Sequence, residues 1–451
     1  MNMLSGKVYV VTSPDLVAAV NRNSKALAFN PFIAQVGKRI TGHDEATSQI
    51  VQHNLNGENG LGYVIDVHDG IVAALLPGKY LEEMVEPMLR QATVYLEALG
   101  RSSELNLFVW MREMVTVCSM RAIYGPEDPF KKNPTYYNDL FWDFDRNLNL
   151  MIINIAPSII APKGNKARSI LAKAFEQYFT DYVPGVIQSS AMIRARYASN
   201  TKWGLTVWNQ GRLEVGTLLG VLANTIPSSF YMLVHVYADR ELLEQLRAEI
   251  EANCVLATAS KMKRTLNITN VRERCHLLHS ACQEMLRMHA QGAGSRFVRE
   301  DTMLDNRYLL KKGMVIQMPM AVMHSDASVW GSDVKDFKPQ RFMKQNDIDA
   351  KKSGGGSFEE GHKSKQNTAY RPFGGGSSMC PGRHFVTLEI MALTAYIILQ
   401  FDMAPTKGEW KIPPQKQESL ATNVFPPEKD VQVKVTRRKG YEDVDWDFVV
   451  R

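Results

Sequence analysis

Apolar positions recur along most of this chain at helical spacing. From Gly78 to Leu99, Leu81, Met84, Val85, Met88, Leu89, Ala92, Val94 and Leu96 lie mostly three or four apart, which predicts a helix with one buried face. Leu105 to Ile123 repeats the pattern, and Ala167 to Arg194 predicts another helix. Arg212 to Asn253 predicts the longest, about 40 residues broken only by Pro227 and long enough to cross a whole domain. Thr269 to Met288 predicts a further one. Near the start, Val8 to Val11 reads as a short strand, and Ser13-Pro14-Asp15 places a cap residue before proline and an acid in the first turn of a helix. Late in the chain Arg296-Phe297-Val298, Tyr308-Leu309-Leu310 and Met314 to Met318 read as short strands separated by Asn306 and Gly313. The predicted class is mainly α with a small β-sheet region.

Between Ile348 and Tyr370 the pattern dissolves into Lys, Ser, Gly and His, including Gly354-Gly355-Gly356, which predicts a flexible loop. No internal repeat and no second shift of composition marks a linker, so one large domain over residues 1–451 is expected.

Composition narrows the function classes. With 45% hydrophobic and 22% charged residues, the chain has the balance of a globular protein with a large core. The net charge of +6 is scattered, and short clusters such as Lys261-Met262-Lys263-Arg264 and Arg437-Arg438-Lys439 read as solvated faces, so no nucleic-acid partner is indicated. Five cysteines, Cys118, Cys254, Cys275, Cys282 and Cys380, without a CxxC pair, indicate neither a disulfide framework nor a zinc site. The N-terminus leads straight into Val8-Tyr9-Val10-Val11 without an apolar anchor, and the most apolar windows, Leu218 to Val236 and Phe385 to Phe401, carry polar residues and read as buried core helices.

Of the five thiols only Cys380 has an unusual setting. It lies in Phe373-Gly374-Gly375-Gly376-Ser377-Ser378-Met379-Cys380-Pro381-Gly382-Arg383-His384-Phe385, a glycine-rich turn before an apolar helix. A cysteine at a helix start meets free N–H groups and the positive end of the helix dipole, which favour the iron-binding thiolate. Glycines 374, 375, 376 and 382 let the backbone lie close to a flat ring. A glycine turn holding an inert buried cysteine is the alternative for the cysteine taken alone.

The whole string resembles the cysteine haem-ligand signature of the cytochrome P450 family. Two further stretches resemble the same family. Glu284-Met285-Leu286-Arg287 puts opposite charges three apart on one helical face. About 50 residues on, Phe337-Lys338-Pro339-Gln340-Arg341-Phe342 is similar to the segment whose arginine joins that pair in a structural triad, with Gln340 where an acid is common. The resemblance implies the P450 fold, with haem b ligated by Cys380 and lying against Phe373, Gly374 and Gly382. It implies a propionate partner in Arg296, nine residues after Arg287, with an ordinary strand arginine as the alternative. The helix near Tyr80 to Leu96 lacks the Trp-x-x-x-Arg pattern of a second propionate contact, and no residue is assigned there. By the same resemblance the chain begins at the second strand of the first sheet, so the family's N-terminal anchor and first helix are expected to be missing, either from the gene model or from an unusual soluble member.

On the long central helix the resemblance is looser. Ile226 and Pro227 fall where the family's acid–alcohol proton relay stands, so that relay is absent. Pro227 predicts a kink that frees the carbonyl of Ala223 for a water, with Asn224 or Thr225 completing a proton route; satisfied core polar groups are the alternative. Ala223-Asn224-Thr225-Ile226-Pro227 is similar to the sterol 7α-hydroxylase and prostacyclin synthase branch. The implied function is a monooxygenase that inserts one atom of O2 into a hydrophobic substrate, sterol- or terpenoid-like or a secondary metabolite, with electrons from an NADPH-cytochrome P450 reductase at the endoplasmic reticulum membrane. A peroxide isomerase or dehydratase on the same fold and a non-catalytic haem-binding relative are the rivals.

Overall fold

The computed structural model describes residues 2–3, 6–182, 188–256, 262–343, 360–416 and 422–450. The helices that build the site are, in chain order, α1 (Asn30–Thr41), α2 (Tyr63–Leu75), α3 (Leu107–Tyr124), α4 (Ala191–Lys202), α5 (Val207–Leu222), α6 (Thr225–Ala238), α7 (His276–His289) and α8 (Arg383–Gln400). Every residue of α6 from Thr225 to Tyr237 is buried, as is every residue of α8 from Leu388 to Gln400. Helices apolar on all sides belong at the centre of a large protein, and these two share one core with α3, α5 and α7. The stretch Val207–Ala238 has the length and apolarity to cross a membrane, yet its most apolar window is 78% buried inside the protein.

The main sheet has five strands in the order 2–3, 6–10, 315–319, 293–298 and 27–28. Val8 pairs in parallel with Val315, and Ile316 pairs antiparallel with Arg296. Ile316 and Met318 turn to a second core with Val17, Val20 and Trp330, following the two-residue period of a strand. Two three-stranded sheets, 401–405 with 432–437 and 102–106, and 445–449 with 263–267 and 255–256, and a hairpin of 302–304 with 308–310 complete the β structure. The hairpin turns through Asp305 and Asn306, both at φ 52°, residue types that tolerate left-handed backbone. The architecture is mainly α with small sheets, as the periodicity predicts.

Several predicted helices divide. The expected span from Arg212 to Asn253 is three helices: α5, α6 and Arg240–Cys254. Pro227 sits in the first turn of α6, where its missing N–H is harmless, so the chain starts a new helix instead of kinking an old one. Asp239 then caps the third by accepting from the Leu242 N–H at 3.0 Å. Ala167 to Arg194 separates into Pro162–Asp181 and α4, which Ser190 caps through the Ile193 N–H. Thr269 to Met288 breaks at Cys275, and Leu105 and Asn106 end a strand instead of opening α3. The glycine run 354–356 of the predicted loop lies outside the described residues, while Glu360–Ala369 forms a helix.

Candidate active site

Cys380 ends a tight turn before α8. Gly374 and Gly376 take φ of 75° and 61°, left-handed values that glycine adopts freely. A Cβ on Gly375 would lie 1.8 Å from Arg371 Nη1, so that position has no room for a side chain. The Cys380 N–H donates to the Phe373 carbonyl at 2.9 Å, closing the loop, and Phe373 packs against the main core. Gly382 is the N-cap of α8, and a Cβ there would make only ordinary contact, 3.8 Å from Cys380 Sγ. The thiol differs from the sequence expectation. Burial pushes it up, and the N–H groups of Gly382 and Arg383 with the Arg383 charge offset that only in part. A metal ion bound there would supply the missing positive charge, since coordination deprotonates a thiol.

Ser377 to Gly382 form part of the wall of a cavity of about 1280 Å³. The other walls come from α1, α2, Met192 and Arg196 of α4, and α5, with Asn224 at its end. Behind Ser378 lies Arg296, 3% exposed. Its guanidinium donates to Ser378 Oγ at 2.6 Å, Asn21 Oδ1 at 2.9 Å, the Gly375 carbonyl at 3.0 Å and the Ser295 carbonyl at 2.8 Å, all neutral oxygens. Among the described residues it makes no ion pair. Burial, and the Arg371 charge after it, lowers its pKa to about 10. A buried cation without a counter-anion is costly. A carboxylate-bearing flat group held in the cavity at Cys380 and Ser378 would supply that negative charge, and the residues present therefore fit haem.

Glu284, Arg287 and Arg341 meet in one buried cluster. Arg287 Nε and Nη2 grip Glu284 at 2.7 and 2.9 Å, a bidentate pair, and Arg341 Nε reaches Glu284 Oε1 at 2.9 Å. The Lys338 N–H adds a bond to the same oxygen at 3.1 Å. Arg287 Nη1 donates to the His324 carbonyl at 2.7 Å, and His324 Nε2 accepts the Arg371 N–H at 3.0 Å. Glu284 is thus connected through His324 to the start of the cysteine loop. His324 was not singled out in the sequence, because a lone histidine carries no pattern.

Asn224 and Thr225 stand at the break between α5 and α6, and they part company. Asn224 lines the cavity, but its Oδ1 accepts the N–H groups of Asn423 at 2.7 Å and Val424 at 3.1 Å. That assigns the carboxamide orientation and leaves its N–H2 as the free polar group. Thr225 is buried and outside the cavity lining, as are Ile226 and Pro227. The Asn224 carbonyl takes both the N–H and the Oγ of Ser228, at 3.1 and 2.7 Å, so the new helix binds its own start.

The helix Lys79–Glu97, where the family resemblance would put a second propionate contact, packs into the core against α3 and contributes nothing to the cavity. The helix that does is α2, through Tyr63, Val64, Ile65, Val67, His68 and Ile71. Arg196 was missed as well. It pairs with fully buried Glu214 of α5 at 2.7 Å, Tyr124 Oη of α3 donates to the other Glu214 oxygen at 2.8 Å, and the three helices are locked together beside the cavity.

A mainly helical protein with a cysteine-walled cavity, beside it a buried arginine with no ion pair among the described residues, and a Glu–Arg–Arg cluster behind points to a haem-thiolate class of enzyme. The cytochrome P450 family model matches residues 215–435. The cytochrome P450 monooxygenase nodJ of Hypoxylon pulicicidum is 31% identical, covering 100% of this chain and 85% of that protein. A cytochrome P450 monooxygenase of Gibberella zeae is 30% identical over 99% of this chain and 83% of its own length. The 25-hydroxycholesterol 7-alpha-hydroxylase of Rattus norvegicus is 27% identical over 75% of this chain and 81% of its own length. The chain belongs to the cytochrome P450 family and is an oxidoreductase of the monooxygenase type. Membership implies haem, a hydrophobic substrate, O2 and a redox partner.

Proposed function

We propose that this P450 holds haem b on Cys380 and hydroxylates a rigid apolar substrate of the sterol or terpenoid class, with electrons from an NADPH-cytochrome P450 reductase at the endoplasmic reticulum membrane. The observation that carries the reading is Cys380 in the wall of a large, mostly apolar cavity beside Arg296, a buried cation without an anionic partner among the described residues. When bound, the haem supplies activation of O2 and oxidation of an unactivated carbon.

The residues of the chain do the rest. Cys380 Sγ would hold the iron, with Phe373, Gly374 and Gly382 in the loop that carries it. Arg296, behind Ser378, would set its positive charge against a propionate of the bound group. The Glu284–Arg287–Arg341 cluster is structural and holds the segment that ends in His324. Asn224 Nδ2 donates a hydrogen bond into the cavity, to a water or ligand oxygen, while its Oδ1 stays tied to Asn423 and Val424. An amide carries no titratable proton near neutrality, so Asn224 orients and does not transfer; Thr225, outside the lining, supports the helix start. Relatives named as sterol 7-alpha-hydroxylases support the substrate class.

The test is turnover of purified protein with reductase and NADPH under ¹⁸O2 on a panel of sterols and terpenoids. Incorporation of one labelled oxygen atom into product supports the reading. Rearrangement of an organic endoperoxide without NADPH, with no labelled product, would replace it by the isomerase reading.

A further inference from the structure

Helix α1 turns Ile33, Gly37, Ile40 and Thr41 to the cavity, one face of the helix by their spacing. The middle of that face has no side chain. Glycine inside a helix is less favourable than alanine by about 1 kcal/mol, and two usual reasons for keeping one are missing here. Gly37 does not have a positive φ, and among the described residues no atom outside its own helix backbone and chain neighbours lies within 4 Å of the place its Cβ would occupy. Neither backbone geometry nor packing against protein excludes a side chain.

The neighbouring face of α5 carries the same feature. A Cβ on Gly216 would lie 3.2 Å from Thr41 Cγ2, so the two helices touch there. One turn further along each helix from that contact come Gly37 and Gly220, and both open onto empty space to 4 Å within the same cavity. Ile33, Ile40, Leu219 and Val221 border the opening with aliphatic surface. Two helices that touch at Thr41 and Gly216 and then present bare backbone leave a slot. Bare helix backbone offers a smooth strip against which a planar ring system packs closely, whereas a branched chain leaves gaps.

We infer that Gly37 is a specificity-determining residue, and that the slot it opens with Gly220 receives a flat, fused-ring apolar body. The inference rests on the monooxygenase reading above and narrows its substrate class.

The experiment compares full-length Gly37→Ala and Gly37→Leu with the parent in melting temperature and in absorbance titrations. The ligands are imidazole and an imidazole bearing a phenanthrenyl group, both of which ligate haem iron through nitrogen. Gly37→Ala is expected to melt no lower than the parent, since its methyl enters open space. Both variants are expected to bind imidazole within about twofold of the parent, while Gly37→Leu weakens the polycyclic ligand about tenfold. Unchanged polycyclic affinity in Gly37→Leu would overturn the inference. So would loss of imidazole binding with normal melting, because the cofactor would then be the group against Gly37. A parent chain without haem absorbance would sink the monooxygenase reading separately. Uptake of pyrene, followed by its own fluorescence, still decides Gly37 in that case: lost in Gly37→Leu if the slot holds it, kept if not.

Discussion

Glu389 is 1% exposed in the middle of α8, and it accepts a hydrogen bond from Ser119 Oγ at 2.7 Å. Burial raises its pKa from 4.5 to about 8, with the Ser119 bond opposing. The unfolded chain ionises this carboxyl at ordinary acidity while the folded one resists, so its contribution to stability is present below pH 4.5 and is lost as pH rises towards 8. Glu389→Gln keeps an acceptor for Ser119 and removes the ionisation. It is expected to stabilise by on the order of 2 kcal/mol at pH 7.5, with little gain at pH 4.5, as read by urea unfolding at the two pH values. Cysteine gives the other residue-scale prediction. Cys380→Ser is expected to abolish the thiolate Soret band of the reduced carbon-monoxide complex, and Cys118→Ser, inside the core, to leave it in place; equal effects would remove the assignment. Cys380, Glu284, Arg287 and Arg341 were legible because short motifs with fixed spacing carry them. Arg371, His324 and Arg196 were not, since each gains its meaning from a partner 18 to 47 residues away.

The break between α5 and α6 shows what an element adds to its residues. Proline at 227 was legible as an interruption, but kink and restart differ only in where the next helix finds its first hydrogen bonds. Asn224 and Ser228 decide that through contacts at opposite ends of sequence distance, one within the turn and one nearly two hundred residues on. Asn224→Ala leaves the N–H groups of Asn423 and Val424 without their acceptor, a loss of about 1–3 kcal/mol, and is expected to lower the melting temperature while haem content stays near parental. Asn224→Asp retains the acceptor and should recover most of that stability. Equal destabilisation by both would mean that the two N–H groups do not depend on residue 224. Gly292 supports the same contact, because a Cβ there would lie 2.0 Å from Asn423 Oδ1.

Across the whole molecule, periodicity made the fold class legible, and the boundaries it blurred are mostly those where two helices follow each other with only one or two residues between. The pH response belongs to this scale, because buried histidines in separate parts of the molecule act in the same direction. His235 and His324 have pKa values lowered to about 4, in both cases chiefly by burial, with Arg287 adding to the effect at His324. His43 is lowered to about 4 by burial and the Lys38 and Arg212 charges against Asp44 and Glu45, and burial with His235 and Arg287 lowers His289 further. The hydrogen bonds explain why the neutral forms are kept. Gln415 Nε2 donates to His289 Nδ1 at 2.7 Å, which leaves the His289 proton on Nε2 to donate to His235 Nε2 at 2.9 Å. A second proton on either ring turns that acceptor into a donor facing a donor. Depressed histidine pKa values mean that the unfolded chain takes up protons first, so stability is fully present above pH 6.5 and is lost as pH falls towards 4. Each such histidine costs the fold on the order of 1–3 kcal/mol by pH 4, and together they outweigh the opposite contribution of Glu389. The melting temperature is expected to fall steeply between pH 6.5 and 4, and His235→Gln, which retains an acceptor and cannot titrate, to fall less. A melting temperature flat across that interval, or an unchanged slope in His235→Gln, would show that these rings are not held neutral by the fold.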